Sequence, residues 1–136
     1  MKQTEARQYF ISLRDAYPNS VISVADRTDV AILHIGSKDE GSRWAELSTP
    51  GGDWFSLVLS GGFMRDVVDE EAKDEEVKSI LAELFELGLS YVDGDYSERV
   101  SRWLRIPTVE IAHEGKLIPV NLSIDRLVRR IVQGGD

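Results

Sequence analysis

The strongest periodic signal in the chain covers residues 77–92. Val77, Ile80, Leu81, Leu84, Gly88, Tyr91 and Val92 fall on one stripe at helical spacing, with Leu87 beside it. Lys78, Glu83 and Glu86 take the opposite, solvated side. Asp74, Glu75 and Glu76 crowd its start, where the positive end of the helix dipole favours carboxylates. Gly94 is a natural stop. Two shorter segments share this periodicity. Thr4 reads as the N-cap of a first helix carrying Ala6, Tyr9, Phe10, Leu13 and Tyr17, which Pro18 and Asn19 end. Ser123 reads as the N-cap of a third, with Ile124, Leu127, Val128, Ile131 and Val132 on one side and Arg126, Arg129 and Arg130 on the other.

Between these helices the apolar runs are short and β-branched, which predicts strands. Residues 21–25 and 30–35 flank Asp26-Arg27-Thr28-Asp29, and residues 43–48 and 54–60 flank Thr49-Pro50-Gly51-Gly52-Asp53. Residues 108–113 and 116–122 flank Glu114-Gly115. Pro119 cannot donate to a ladder, which places that last strand at an edge or a bulge. Residues 95–106 are ambiguous between a short helix at 97–100 and a strand at 100–106. The expected fold is therefore α+β: a mainly antiparallel sheet of about six strands with an N-terminal helix, one long central helix and a C-terminal helix. No linker or repeat interrupts the 136 residues, so a single domain over 1–136 is expected.

Composition removes several functional classes. Apolar residues make up 42% and charged residues 29%, so the chain has the means to bury a core. Cysteine is absent, which removes disulfides, thiolate metal sites and a cysteine nucleophile. The apolar runs are too short to span a membrane, and the start MKQTEARQYF has no signal-peptide core, so a cytoplasmic location is expected. There is no Gly-x-Ser-x-Gly elbow or Ser-x-x-Lys pair. The Ser60-Gly61-Gly62 and Pro50-Gly51-Gly52 segments lack the lysine and helix start of a phosphate loop. His34 and His113 each sit on a strand face without ligand-type neighbours at short spacing, so no metal site and no cofactor are expected. A joint His34–His113 site would require their strands to be neighbours. No catalytic residue is assigned and the chain is expected not to be an enzyme.

Charge is distributed unevenly. The formal net charge is −8, yet residues 66–98 hold 12 acidic and 2 basic side chains, while residues 99–133 hold 7 basic and 3 acidic. The dense part is Asp66, Asp69, Glu70, Glu71, Asp74, Glu75 and Glu76, expected on the loop after the fourth strand and the start of the long helix. A solvated face that aids solubility accounts for such a run, and so does a surface complementary to a basic partner. Nucleic acid would be repelled. Trp54, beside the glycine-rich turn, and Phe63, after Gly61-Gly62, are candidate anchors if their rings reach the surface.

The stretch Gly52-Asp53-Trp54-Phe55-Ser56-Leu57-Val58, then Gly61-Gly62-Phe63, an acidic break, and Glu75-Glu76-Val77 running on to Tyr91-Val92-Asp93-Gly94 resembles small acidic bacterial proteins. Some of these are similar to the immunity proteins of polymorphic or contact-dependent toxin systems. The resemblance implies a single α+β domain that binds one cognate toxin, with nuclease-like toxins often basic. The expected partner is thus a toxin protein, with no nucleic acid and no membrane partner, and the oligomeric state is left open. The alternative expectation is a small-molecule or peptide-binding accessory domain with a cleft between sheet and helix, using His34 or His113.

Overall fold

Alternation along the strands decides which side of the sheet is dry. In the computed structural model, which describes residues 1–37, 41–124 and 126, the runs Ala31/Leu33/Ile35, Ala45/Leu47/Thr49 and Phe55/Leu57/Leu59 are all buried on one face. These belong to β2 (Val30–Ile35), β3 (Ala45–Thr49) and β4 (Asp53–Leu59). Helices α1 (Gln3–Ala16) and α2 (Asp74–Val92) cover that face. The first lies over β1 (Ile22–Arg27) and β2, the second over β3, β4 and β7 (Pro107–His113). Phe10 of α1 and Val77, Leu81, Leu84, Phe85 and Leu87 of α2 complete the core. Burying a side chain of this size contributes about 1.5–3 kcal/mol, which fixes both helices to the sheet.

Among the described residues the sheet is antiparallel at every pairing and has eight strands in the order β1-β2-β3-β4-β5-β8-β7-β6. The α+β class stands; the expected six strands become eight. One addition is β5 (Phe63–Asp69), in a segment that reads as a loop from its carboxylates. It pairs with β4 along seven residues, from Asp53↔Asp69 to Leu59↔Phe63. The other is β6 (Ser97–Val100), an exposed edge strand within the ambiguous 95–106 segment. Two helices occur among the described residues. The expected C-terminal helix, with Leu127, Val128, Arg129, Arg130, Ile131 and Val132, falls mostly outside them.

Local chemistry accounts for the boundaries. The expected N-cap Thr4 lies inside α1; the cap is Lys2, whose backbone N–H donates to Glu5 Oε1 at 3.4 Å. The β1–β2 and β7–β8 hairpins turn at Thr28-Asp29 and Glu114-Gly115, all with positive φ, as tight hairpins require. At the β3–β4 turn, buried Thr49 donates to the Trp54 carbonyl at 2.8 Å and accepts from the Gly51 N–H at 3.1 Å. Gly51 has φ +112°, and a Cβ there would come within 2.5 Å of the Lys2 carbonyl carbon, so only glycine fits against the N-terminal segment.

Strand β8 (Lys116–Leu122), expected at an edge or with a bulge because of Pro119, is internal. Its ladder with β5 holds only Phe63↔Leu122 and Met64↔Asn121. Pro119 therefore lies beyond that ladder, and its carbonyl accepts from Arg65 Nη1 at 3.1 Å instead.

Candidate functional site

The face of the sheet away from the helices carries Trp54, Ser56 and Val58 of β4 opposite Val68, Asp66 and Met64 of β5. Trp54 and Val68 are directly paired across the strands, and they are 38% and 72% exposed. Such opposed side chains stand about 5 Å apart and form one contact surface. Val68 has no counterpart among the sequence-derived candidates, because its pairing depends on a strand that reads as loop. Asp66, two residues before it, points to the same side.

Of the carboxylates at this end of the sheet, Asp66 shares the outer face with the pair, while the others lie on the helix-covered side or on the turn into α2. Asp69 lies opposite Asp53 in the register, and like charges so placed oppose each other. Asp69 also organises the turn into α2, accepting from the Glu71 N–H at 3.1 Å. Glu70 and Glu71 sit on that turn, and Asp74, Glu75 and Glu76 form the first turn of α2. Asp74 takes the N-terminal amine at 3.2 Å, and Glu75 lies 3.9 Å from Lys78. Asp66, Glu70, Glu71 and Glu76 have no ion pair among the described residues. Seven acidic side chains of β5, its turn and α2 thus share one end of the molecule with Trp54. Phe63 is the correction. It begins β5 on the helix-covered face and is only 5% exposed, so it serves the core and cannot be a surface anchor.

The two histidines stand apart. His34 on β2 and His113 on β7 have four strands between them, so a joint site is ruled out. Each meets a carboxylate from another element. His34 Nδ1 lies 3.3 Å from Glu46 Oε2, its direct cross-strand partner. His113 Nδ1 lies 3.3 Å from Glu86 of α2, with Nε2 3.9 Å from Glu114. The His34 ring also stacks on Trp44, centroids 5.6 Å apart and planes 26° from parallel. Its Nε2 is buried with no hydrogen-bond partner. These groups line a pocket of about 450 Å³ together with Ser23, Arg27 and Ser42. The pocket opens on the outer sheet face, not between sheet and helix. A groove of about 600 Å³ does run between α1, β1 and the start of α2. The Arg7–Asp26 and N-terminus–Asp74 ion pairs occupy its walls.

Among the described residues no group of three or more His, Asp or Glu side chains converges as a metal site would require. Among the described residues the groups with clearly shifted acidity are tyrosines. Burial raises Tyr91, with its Ser60 hydrogen bond opposing, and burial together with the Glu86 charge raises Tyr9. Neither belongs to the acidic surface.

The fold and site together define an α+β protein with helices on one face of an antiparallel sheet and an exposed Trp54–Val68 pair on the other. Comparison of the chain with protein-family models, with curated proteins and with solved structures gave no match.

Proposed function

We propose that this protein is a non-catalytic, cytoplasmic inhibitor of the immunity type, which binds a basic cognate toxin, nuclease-like in charge, through the outer β4–β5 surface. The observation that carries this reading is the exposed Trp54–Val68 pair, with Asp66 on its face and the carboxylates of the β5–α2 turn at the same end of the molecule. An aromatic anchor in a charged rim is the anatomy of a protein interface. The opposed Asp53 and Asp69, at the same end of these strands though on their other side, add to the negative potential there. Like charges kept face to face cost stability, and a surface that retains them has a use for its potential. In this mechanism Glu70, Glu71, Glu75 and Glu76 accelerate encounter with lysines and arginines of the partner. Trp54 then supplies the desolvated contact.

The test is affinity capture of the tagged protein from its native cells, eluted with rising salt, followed by kinetics on the captured partner. A single stoichiometric basic partner is expected. Reversing Glu70, Glu71, Glu75 and Glu76 to lysine together slows association at least about tenfold and flattens its salt dependence. Trp54→Ala weakens affinity about 30-fold, the effect of a 2 kcal/mol anchor. Unchanged kinetics in both variants would overturn the assignment of this surface.

The orphaned Nε2 of His34 favours a second reading, a small-molecule-binding accessory domain. A metabolite that raises the melting temperature by several degrees in wild type and not in His34→Ala would support it, since ligands stabilise the state they bind.

A further inference from the structure

Strand β1 forms one edge of the sheet, and a single contact fixes its hydrogen-bonding phase. The Gly36 N–H donates to the Val21 carbonyl at 2.8 Å, so these two residues are a hydrogen-bonded pair. Such pairs recur at every second position of an antiparallel ladder, which makes Ser23↔His34, Ala25↔Ile32 and Arg27↔Val30 the others. The backbone N–H and C=O groups of Ile22, Val24 and Asp26 therefore point away from β2, to the open edge. These groups have no backbone partner among the described residues.

Natural sheet edges are guarded by lysine, proline or a bulge. Residues 21–25 hold no charge and no proline, and β1 pairs with β2 without a bulge. On the outer side Val21 is 66% exposed, with Ser23 and Ala25 exposed along the same row. On the other side Ile22 and Val24 are half-buried against the core, which holds the edge in place.

We propose that β1 pairs antiparallel with β1 of a second copy, joining two sheets across a two-fold axis at Ser23. One register is self-complementary. Ile22 falls opposite Val24 of the second copy and Val24 opposite its Ile22, each pair exchanging the backbone hydrogen bonds that the edge leaves open. Val21 falls opposite Ala25, which covers the exposed valine, and Ser23 meets Ser23. The register two residues further along sets Ile22 against the Asp26 carboxylate instead. A contact with the same patch on both copies closes after two subunits.

Helix α1 favours a second copy over a foreign strand. It lies over β1 and β2, so its axis stands about half a strand spacing inboard of the edge. Pairing two β1 strands then sets the two α1 axes about 10 Å apart, an ordinary packing distance for helices. Gln3 and Arg7 mark the helix side next to the edge, meeting the Asp26 carboxylate at 3.0 and 3.1 Å. Ile11 lies one turn beyond Arg7 on that side; it is half-buried and is not among the side chains packed against the core. Counted from Asp26 it stands about level with Ser23, three strand residues or roughly 10 Å along. A second copy brings its own Ile11 to this place, whereas a foreign strand brings no helix. The contact is smaller than the roughly 800 Å² per partner of a standard interface, so the dimer is weak and reversible, with a Kd of about 10–100 μM. Three strands separate β1 from β5, so the β4–β5 surface stays open and the pairing is independent of the inhibitor reading.

Sedimentation velocity of the full chain between about 5 and 500 μM measures this equilibrium. Wild type is expected to dimerise, and more tightly at high salt, because two copies of formal net charge −8 repel each other. Ser23→Lys and Ser23→Asp each weaken the dimer about fivefold or more by setting like charges across the axis. An equimolar mixture of the two restores it. Position 23 is exposed, so both variants keep the fold. Ser23→Cys gives a second readout, since the chain has no cysteine of its own and the opposed Cα atoms come within disulfide range. Oxidation yields a covalent dimer, and Glu71→Cys on the acidic turn does not. A wild type that stays monomeric throughout overturns the proposal, and so does a dimer indifferent to both charges at position 23. Assembly growing beyond two copies also overturns it, since it marks an open pairing of β1 with β6.

Discussion

At the residue scale, Tyr91 ties the end of α2 to the turn after β4. Its hydroxyl donates to the Ser60 carbonyl at 2.6 Å and receives the Ser60 hydroxyl at 3.3 Å. Burial raises its pKa above the ordinary value of 10.0. The folded state therefore holds the phenolic proton more tightly than the unfolded chain. The stability linked to that difference is complete below about pH 10 and is lost as pH rises through the folded value. Tyr9, raised by burial and by Glu86, adds to the same alkaline loss. Tyr91→Phe should cost about 1–2 kcal/mol at neutral pH by removing the hydrogen bonds. Its melting temperature should then approach that of wild type as pH passes about 10, because the variant has no phenol to ionise. Thermal melts between about pH 7 and 11 measure this; a constant gap between the two curves would show that the hydroxyl is not shielded. The alternation of Val77 to Tyr91 made the burial of this ring legible in the sequence. Its partner Ser60 was not, because a turn 31 residues away carries no periodic signal. The same applies to His34 and Glu46, which meet only through the β2–β3 register.

At the element scale, the distance of α2 from the sheet is set by Gly88. A Cβ there would lie 3.1 Å from Ile35 Cδ1 and 3.2 Å from Ala45 Cβ. The isoleucine methyl can rotate away, but the alanine Cβ is fixed to β3. Gly88→Ala gains about 1 kcal/mol of helix propensity and meets an overpacking cost of about 1–3 kcal/mol. The net expectation is a loss of about 1 kcal/mol in urea denaturation. A stabilised variant would mean that the helix is free to shift outward. The helix itself and three hairpins follow from patterning because each buries one face against a single neighbour. Strands β5 and β6 do not. In β5 the buried positions fade from Phe63 to Asp69 while Asp66 and Val68 face solvent, so the alternation is masked by charge. In β6 all four residues are exposed, and only pairing to β7 makes them a strand. The acidic part of the candidate surface was visible as composition. Its apolar centre was not, since Trp54 and Val68 become neighbours only through the β4–β5 ladder.

At the scale of the whole molecule, the sheet has a seam. Strands β1 to β5 are joined in sequence by long ladders, and β6 to β8 form a second antiparallel group. Between them β5 and β8 share only two paired positions, reinforced by the bond from Arg65 to Pro119 and by α2, which lies over β3, β4 and β7. The first group carries most of the fully buried side chains, while β6 is exposed along its length and paired on one side. Local opening free energies follow burial and backbone pairing, so the two groups should differ. Hydrogen exchange read by mass spectrometry should find β2, β3, β4 and α2 slowest. Strands β7 and β8 should exchange faster and together, with β6 fastest of all. Phe63→Ala, at the seam, should accelerate β7 and β8 more than β2 and β3, in addition to a global loss of about 3–5 kcal/mol if the site cannot collapse. Uniform protection across both groups, with Phe63→Ala acting equally on all strands, would mean that α2 binds the sheet into one cooperative unit despite the two-pair ladder.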